Sequence, residues 1–96
     1  MNTYFITAYD YTTPGTLEKR LAARPDHLAA MQKLKEKGNF VTGGAFLNDK
    51  QEMIGSALIL QFETEQELEH WKANDPYVTS GVWERVEVKP FRIAQV

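Results

Sequence analysis

Two side chains in this sequence are of the types that together can move a proton, His27 and Asp75. Imidazole has an unperturbed pKa near neutrality, and a carboxylate on one ring nitrogen fixes the tautomer and leaves the other nitrogen basic. Asp75 opens the triplet Asp75-Pro76-Tyr77, between a helix-like segment and the last strand. It follows Trp71 by four residues and Leu68 by seven, so if the helix persists that far its carboxylate leaves from the apolar face. Pro76 discourages helical geometry at Asp75 and fixes a chain break here. A charge buried there without a partner would cost several kcal/mol. Asp75 is therefore either a helix-terminating Asx-Pro turn or one half of a pair in a pocket. His27 follows Pro25, which can open a fresh helical segment and place Asp26 and His27 in its first turn. His27, Met31 and Leu34 recur at i, i+4 and i+7, so the histidine belongs to the buried stripe. It is a general base or acid, or a core histidine satisfied by a backbone carbonyl.

Three more side chains are candidates for holding a ligand. Arg24 offers a planar fork to an anionic or phenolate oxygen, against the commoner meaning of a solvated arginine before a proline. Ser56, after Gly55 on a central strand, presents a hydroxyl where the glycine leaves room, or packs as a small residue under a helix. No Gly-x-Ser-x-Gly elbow surrounds it, so it is not read as a nucleophile. Tyr77 lines the pocket or caps the core with its hydroxyl in water. Trp71, Trp83, Phe46 and Phe91 are read as core or dimer interface. His70 lies one step off the Leu68/Trp71 stripe, and two histidines without a ligand cluster make no metal site. No cofactor is expected.

The elements that must position these residues follow from the apolar pattern. Tyr4 to Asp10 is aromatic and β-branched with apolar groups on both faces, a central strand. Thr16 to Lys37 favours helix, interrupted at Pro25 and stopped by Gly38-Asn39. Phe40 to Leu47 is a strand in which Gly43-Gly44 suggests a bulge or a close approach. A polar hairpin turn, Asn48 to Glu52, leads to a third strand, Met53 to Glu63, again apolar on both sides. Thr64-Glu65-Gln66-Glu67 is a capping box that opens the second helix. Val82 to Ile93 is the last strand, with Val86 and Val88 opposed by Arg85, Glu87 and Lys89, which suits an edge.

This β-α-β-β-α-β order is the α+β, ferredoxin-like split βαβ arrangement: a four-stranded antiparallel sheet with two helices on one face. The uncovered face of the two-sided central strands requires a second layer, most simply another copy of the chain, so a homodimer is expected. With the two helices taken to run parallel, His27 and Asp75 need not be neighbours, because a helix of about ten residues is ~15 Å long. A dyad then requires the Pro25 break to place His27 midway along the helix pair, or a contribution from the second subunit.

Composition narrows the function. The 96 residues, 43% hydrophobic, suit one domain, 1–96, with a modest core. Eleven basic and thirteen acidic residues give a net charge of -2, with no basic run interleaved with aromatics, so nucleic acid is not an expected partner. Without cysteine there is no disulfide, no thiol nucleophile and no Cys-containing metal site. No apolar run approaches the ~20 residues of a membrane helix and no leader pattern opens the chain, so no membrane partner and a cytosolic location are expected.

Arg24-Pro25-Asp26-His27-Leu28, Gly43-Gly44, Gly55-Ser56, Asp75-Pro76-Tyr77, Gly81-Val82 and Lys89-Pro90-Phe91 occur together in an order and spacing that resembles the YciI-like (YCII-related) family over nearly the whole chain. That resemblance implies a dimeric ferredoxin-like fold related to the dimeric α/β-barrel proteins. It implies a histidine–aspartate pair, matched by His27 and Asp75, and its enzymatic type is a dehydrochlorinase of chlorinated hydroxyhydroquinones. The expectation is a small cofactor-independent enzyme of lyase or isomerase type, in which His27, oriented by Asp75, moves a proton on a small polar or aromatic molecule. The alternatives are a non-catalytic dimeric module that holds a metabolite in the same pocket, and a regulatory partner of a larger enzyme.

Overall fold

Burial alternates along the two central strands of the structure, a computed structural model that describes all residues, 1–96. Strand β1 (Asn2–Asp10) turns Tyr4, Ile6, Ala8 and Asp10 inward. It is followed by α1 (Thr16–Glu36), β2 (Phe40–Leu47), β3 (Met53–Phe62), α2 (Glu65–Asn74), the single-turn helix α3 (Pro76–Thr79) and β4 (Trp83–Pro90). The sheet order is β2-β3-β1-β4 with every neighbouring pair antiparallel, so the two strands with apolar residues on both sides are the central ones. The core lies between the sheet and the helices, where Ile6, Leu58, Leu60 and Phe62 meet Ala23, Met31, Leu68 and Trp71.

Three boundaries depart from the sequence reading. Helix α1 does not break at Pro25 but runs through it for 21 residues. A proline inside a helix removes one hydrogen bond and costs about 3 kcal/mol. Here Pro25 sits on the exposed side, and the buried stripe of Thr16, Arg20, Ala23, His27 and Met31 packs the helix against the sheet on both sides of it. Tertiary packing holds the helix together where local propensity would interrupt it. The last strand is shorter than Val82 to Ile93: the Val82 N–H donates to the Tyr77 carbonyl, its carbonyl accepts from Tyr11, and β4 ends at Pro90, with the Phe91 N–H making a last bond to the Thr3 carbonyl. The turn after Asp75 closes into α3, with Pro76 in its first turn.

The Thr64 cap forms where the sequence put it, Oγ1 accepting from the Glu67 N–H at 3.2 Å, while Glu67 Oε1 accepts from the Thr64 hydroxyl in place of its N–H. The polar hairpin forms too, Asn48 Oδ1 accepting from the N–H groups of Lys50 and Glu52.

The two helices run antiparallel. Each helix returns along the strand before it, and β1 and β3 are themselves antiparallel. Lys37 at the end of α1 thus shares a groove with Thr64 at the start of α2, and Ala30 shares it with Asn74 at the other end. The C-terminus of α2 is delivered to the middle of α1, which is where His27 lies.

The glycine pairs act on different sides of the sheet. Gly43 lies under Leu58, whose Cδ2 would be 2.5 Å from an added Cβ, whereas Gly44 faces open space; the register shifts of β2 fall on either side of the pair, not within it. Gly55 leaves no room for a ligand beside Ser56, because successive strand residues face opposite sides. Its space is on the open face, where Tyr9 and Phe46 stack across it with ring centroids 5.6 Å apart. An added Cβ at Gly55 would sit 2.6 Å from the Ala8 carbonyl oxygen, a backbone atom that cannot step aside. Gly55→Ala should therefore destabilise the fold by about 1–3 kcal/mol, while Gly44→Ala stays within about 0.5 kcal/mol, as urea unfolding midpoints of the two variants would report.

Candidate active site

His27 and Asp75 meet. His27 Nδ1 lies 2.8 Å from Asp75 Oδ1, and both side chains are buried. The meeting does not need a helix break or a second subunit, because the antiparallel helices bring the end of α2 to mid-α1. Asp75 is at once the helix-end residue and the pocket residue that the sequence left as alternatives. Its Oδ1 accepts from the Tyr77 N–H at 2.9 Å, the Asx turn that caps α3, and its Oδ2 accepts from the Trp71 indole N–H at 3.1 Å. Three donors hold the carboxylate in one orientation. A carboxylate that accepts from two other donors is placed to accept from His27 Nδ1 as well, and in the neutral ring with its proton on Nδ1 the acceptor nitrogen is Nε2. Nε2 has no hydrogen bond within the chain and is not sealed from the solvent.

The imidazole is held on its faces as well. The Tyr77 ring stacks on it with centroids 4.0 Å apart, and Trp83 meets it edge-on at 5.8 Å. On the side of Tyr77 remote from the imidazole, the guanidinium of Arg20 lies 4.5 Å from the ring centroid. His27, Leu28, Met31, Phe40, Leu58 and Tyr77 help to enclose a cavity of about 180 Å³, with Arg20, Arg24 and Ser56 also in its wall. That is below the about 300–1,000 Å³ of sites for drug-sized ligands, so the cavity suits one small ring.

Of the five residues singled out from the sequence, Arg24, His27, Ser56 and Tyr77 line this cavity and Asp75 acts on it only through His27, and not all hold the roles expected of them. Arg24 is exposed at the mouth and makes no hydrogen bond within the chain. The buried arginine is Arg20, which the sequence reading passed over. Its Nη1 donates to both oxygens of Asp10, at 2.9 and 3.1 Å, and its Nη2 donates to the Gly55 carbonyl and, at 2.7 Å, to Ser56 Oγ. Seven residues separate Arg20 from His27, two turns of helix and within ~20° of the same direction. That spacing was the available signal. It went unread because an arginine on an apolar stripe is ordinarily taken as solvated. Trp83 completes the network, its indole N–H donating to Ser56 Oγ at 3.3 Å. His70 is exposed, and no group of three or more His, Cys, Asp and Glu side chains is placed to hold a metal ion.

Burial also sets the charge states around the cavity. Burial pushes the Tyr77 phenol above its ordinary 10.0, against the opposing pull of Arg20 and Arg24, while Asp10 and Asp75 add to the rise. Tyr77 therefore keeps its proton and faces the cavity as a hydroxyl. The folded chain disfavours the phenolate relative to the unfolded chain, so the contribution of Tyr77 to stability is intact below 10.0 and is lost as the pH rises through its raised value. Tyr77→Phe should delete the latest-ionising component of the alkaline phenolate absorbance titration.

The chain matches the model of the YCII-related domain over residues 4–92. It is 42% identical over 95 residues to an uncharacterised protein of Haemophilus influenzae and 41% identical to Protein YciI of Escherichia coli, in each case covering 93% of this chain and 95% of the other. Among solved structures, TftG of Burkholderia phenoliruptrix, a 5-chloro-2-hydroxyhydroquinone dehydrochlorinase in complex with 2,5-dihydroxybenzoquinone, superposes with a TM-score of 0.81 at 28% identity, over 96% of this chain and 95% of that one. Atu4242 of Agrobacterium tumefaciens shares the fold, with a TM-score of 0.54 at 19% identity over 97% of this chain and 94% of that one. With the family model spanning nearly the whole chain and relatives at this identity, the chain belongs to the YCII-related domain family.

Proposed function

We propose that this protein is a small enzyme in which His27 is a general base, oriented by Asp75, acting on a small hydroxylated ring or enol in a lyase step of the dehydrochlorinase kind. The observation that carries the reading is the 2.8 Å contact between His27 Nδ1 and Asp75 Oδ1, which leaves Nε2 unpaired at the cavity. Nε2 takes a hydroxyl proton from the ligand, and the positive charge that forms on the ring is shared with the Asp75 carboxylate. On a chlorinated trihydroxybenzene the released electron pair moves into the ring and the chlorine-bearing carbon takes up a proton; a second hydroxyl then loses its proton, and its electron pair moves in as chloride leaves with the C–Cl electrons, giving a hydroxyquinone. The balance is loss of HCl. Likeness to the TftG structure supports a ligand of this class.

The test uses 5-chloro-2-hydroxyhydroquinone as the probe, incubated under anaerobic conditions, with chloride release measured. The expected result is release that saturates with substrate and disappears in His27→Ala. Release at the same rate in that variant would end the reading. The reading includes a homodimer: Phe5, Tyr9, Phe46, Ile59 and Phe91 lie on the sheet face that no helix covers, with Phe5 and Phe91 in contact at 5.4 Å. Sedimentation equilibrium should give twice the chain mass.

The second reading, a module that binds without turnover, draws on the depth at which the dyad lies. It predicts ligand affinity that changes in His27→Ala with no chloride release by either protein.

A further inference from the structure

The hydroxyl of Ser56 is constrained by its neighbours in a way that fixes what it can do. A serine hydroxyl has one proton to donate and two lone pairs with which to accept. Arginine and indole nitrogens only donate, so the contacts from Arg20 Nη2 at 2.7 Å and Trp83 Nε1 at 3.3 Å occupy both lone pairs. The remaining O–H finds no acceptor within the chain, and Ser56 lies in the cavity wall. Ser56 can therefore only donate toward a ligand, and the cationic donor behind it strengthens that donation. Tyr77 is likewise a donor there, a protonated phenol with no hydrogen bond to the protein. The cavity thus holds two O–H donors and the rim guanidinium of Arg24, with His27 Nε2 and the Tyr77 oxygen as side-chain acceptors, and Ser56 is the hydroxyl there that can only donate.

We propose that Ser56, held in donor orientation by Arg20 and Trp83, is the oxyanion-binding residue of this site, and that the ligand is a small ring or enediol carrying two neighbouring oxygens, one of which ionises. The inference rests on the reading of His27 as base. Proton transfer to Nε2 leaves negative charge on the ligand, and the preorganised Ser56 O–H receives it without reorientation. Arg20 is a positioning residue here: its charge acts through the Ser56 hydroxyl. A neutral ligand rich in donors and poor in acceptors is disfavoured, because the Ser56 O–H would be left unpaired.

The experiment uses 4-nitrocatechol, whose phenolate absorbs at longer wavelength than its phenol. It is titrated into the wild-type protein at a pH where the free probe is mostly protonated. The expected result is saturable binding with the bound probe ionised to a greater extent than the free probe. Absence of saturable binding, or a bound spectrum no more ionised than the free one, overturns the proposal without recourse to any variant. Ser56→Ala should then weaken binding by about 10- to 100-fold and return the spectrum of the remaining bound probe toward the phenol. A purely structural serine would lower affinity with no change in that spectrum, and this outcome also overturns the proposal. Circular dichroism confirms that the variant is folded. The two readings fail separately. Wild-type probe behaviour in Ser56→Ala removes the oxyanion role while leaving the loss of turnover in His27→Ala intact, whereas turnover that survives His27→Ala removes the base and leaves the binding result standing.

Discussion

Replacing His27 by alanine should reduce turnover of 5-chloro-2-hydroxyhydroquinone by about 10²–10⁴-fold, the usual worth of a positioned general base, with the chain still folded. The ring is 6% exposed and stacks at 4.0 Å on Tyr77, so its removal also opens a gap beside Asp75. Asp75 keeps two of its three donors in the variant, the Tyr77 N–H and the Trp71 indole, so the carboxylate is not left stranded. Thermal melting should consequently show a loss of no more than about 2–3 kcal/mol, enough to lower the midpoint but not to unfold the chain. Asp75→Asn separates orientation from basicity. An asparagine side chain retains one acceptor oxygen but must also place an amide group among three donors, and turnover should fall with the imidazole tautomer disturbed. Ring ¹⁵N chemical shifts of His27 measure that directly: proton on Nδ1 in wild type, a mixed population in Asp75→Asn. A single Nδ1–H tautomer in both proteins would show that Asp75 does not orient the ring.

The second large effect concerns stability. Asp10→Ala should destabilise the fold by about 3–5 kcal/mol, because it leaves the Arg20 guanidinium buried with its countercharge gone. Arg20 is 2% exposed and its Nε already has no partner, so without Asp10 the guanidinium keeps only the neutral Gly55 carbonyl, Ser56 Oγ and the Tyr77 ring, and no countercharge. The pair itself is not a net source of stability. Burial holds the Asp10 carboxyl above its ordinary 3.8 despite the Arg20 charge and hydrogen bonds that pull it down. The folded chain therefore binds the Asp10 proton more tightly than the unfolded chain. The stability contribution of this group is greatest below 3.8 and declines as the pH rises through the raised value. An apolar pair of similar volume, Asp10→Leu with Arg20→Met, should recover most of the loss in urea unfolding at neutral pH. It should not recover binding of 4-nitrocatechol, since Ser56 then has an empty lone pair and no cation behind it. A double variant as unstable as Asp10→Ala alone would refute the burial argument. One that is stable and binds the probe normally would count against the positioning role of Arg20.

On the proposed role of Ser56, an ion pair that adds little stability still has a use at the cavity. A leucine–methionine pair would pack the same space but would offer Ser56 no donor, and the hydroxyl would be free to accept as well as donate.

Much of the architecture was determined by the sequence alone. The two-sided apolar pattern of Tyr4 to Asp10 and Met53 to Glu63 required central strands, and the structure has β1 and β3 at the centre of the sheet. The charges of Arg85, Glu87 and Lys89 required an edge, and β4 is one. Thr64 to Glu67 stated where α2 begins, because capping chemistry is local and completes itself within four residues. The composition of Asp75-Pro76-Tyr77 likewise offered its turn as one of two readings, since the Asx contact spans only two residues.

What tertiary structure alone decided is the meeting of residues far apart in the chain. His27 and Asp75 are 48 residues apart and could be named as candidates, but their contact depends on the antiparallel run of the helices and on α1 continuing through Pro25, neither of which local preference fixes. Packing along the whole buried stripe overrides the proline. Arg20 shows the same limit from the other side. An arginine reads as a surface residue until the fold places Asp10, ten residues before it, and Ser56, 36 residues after it, around its guanidinium. A buried charge is tolerable only through partners, and partners distant in sequence are brought together by the sheet register, not by any spacing along the chain.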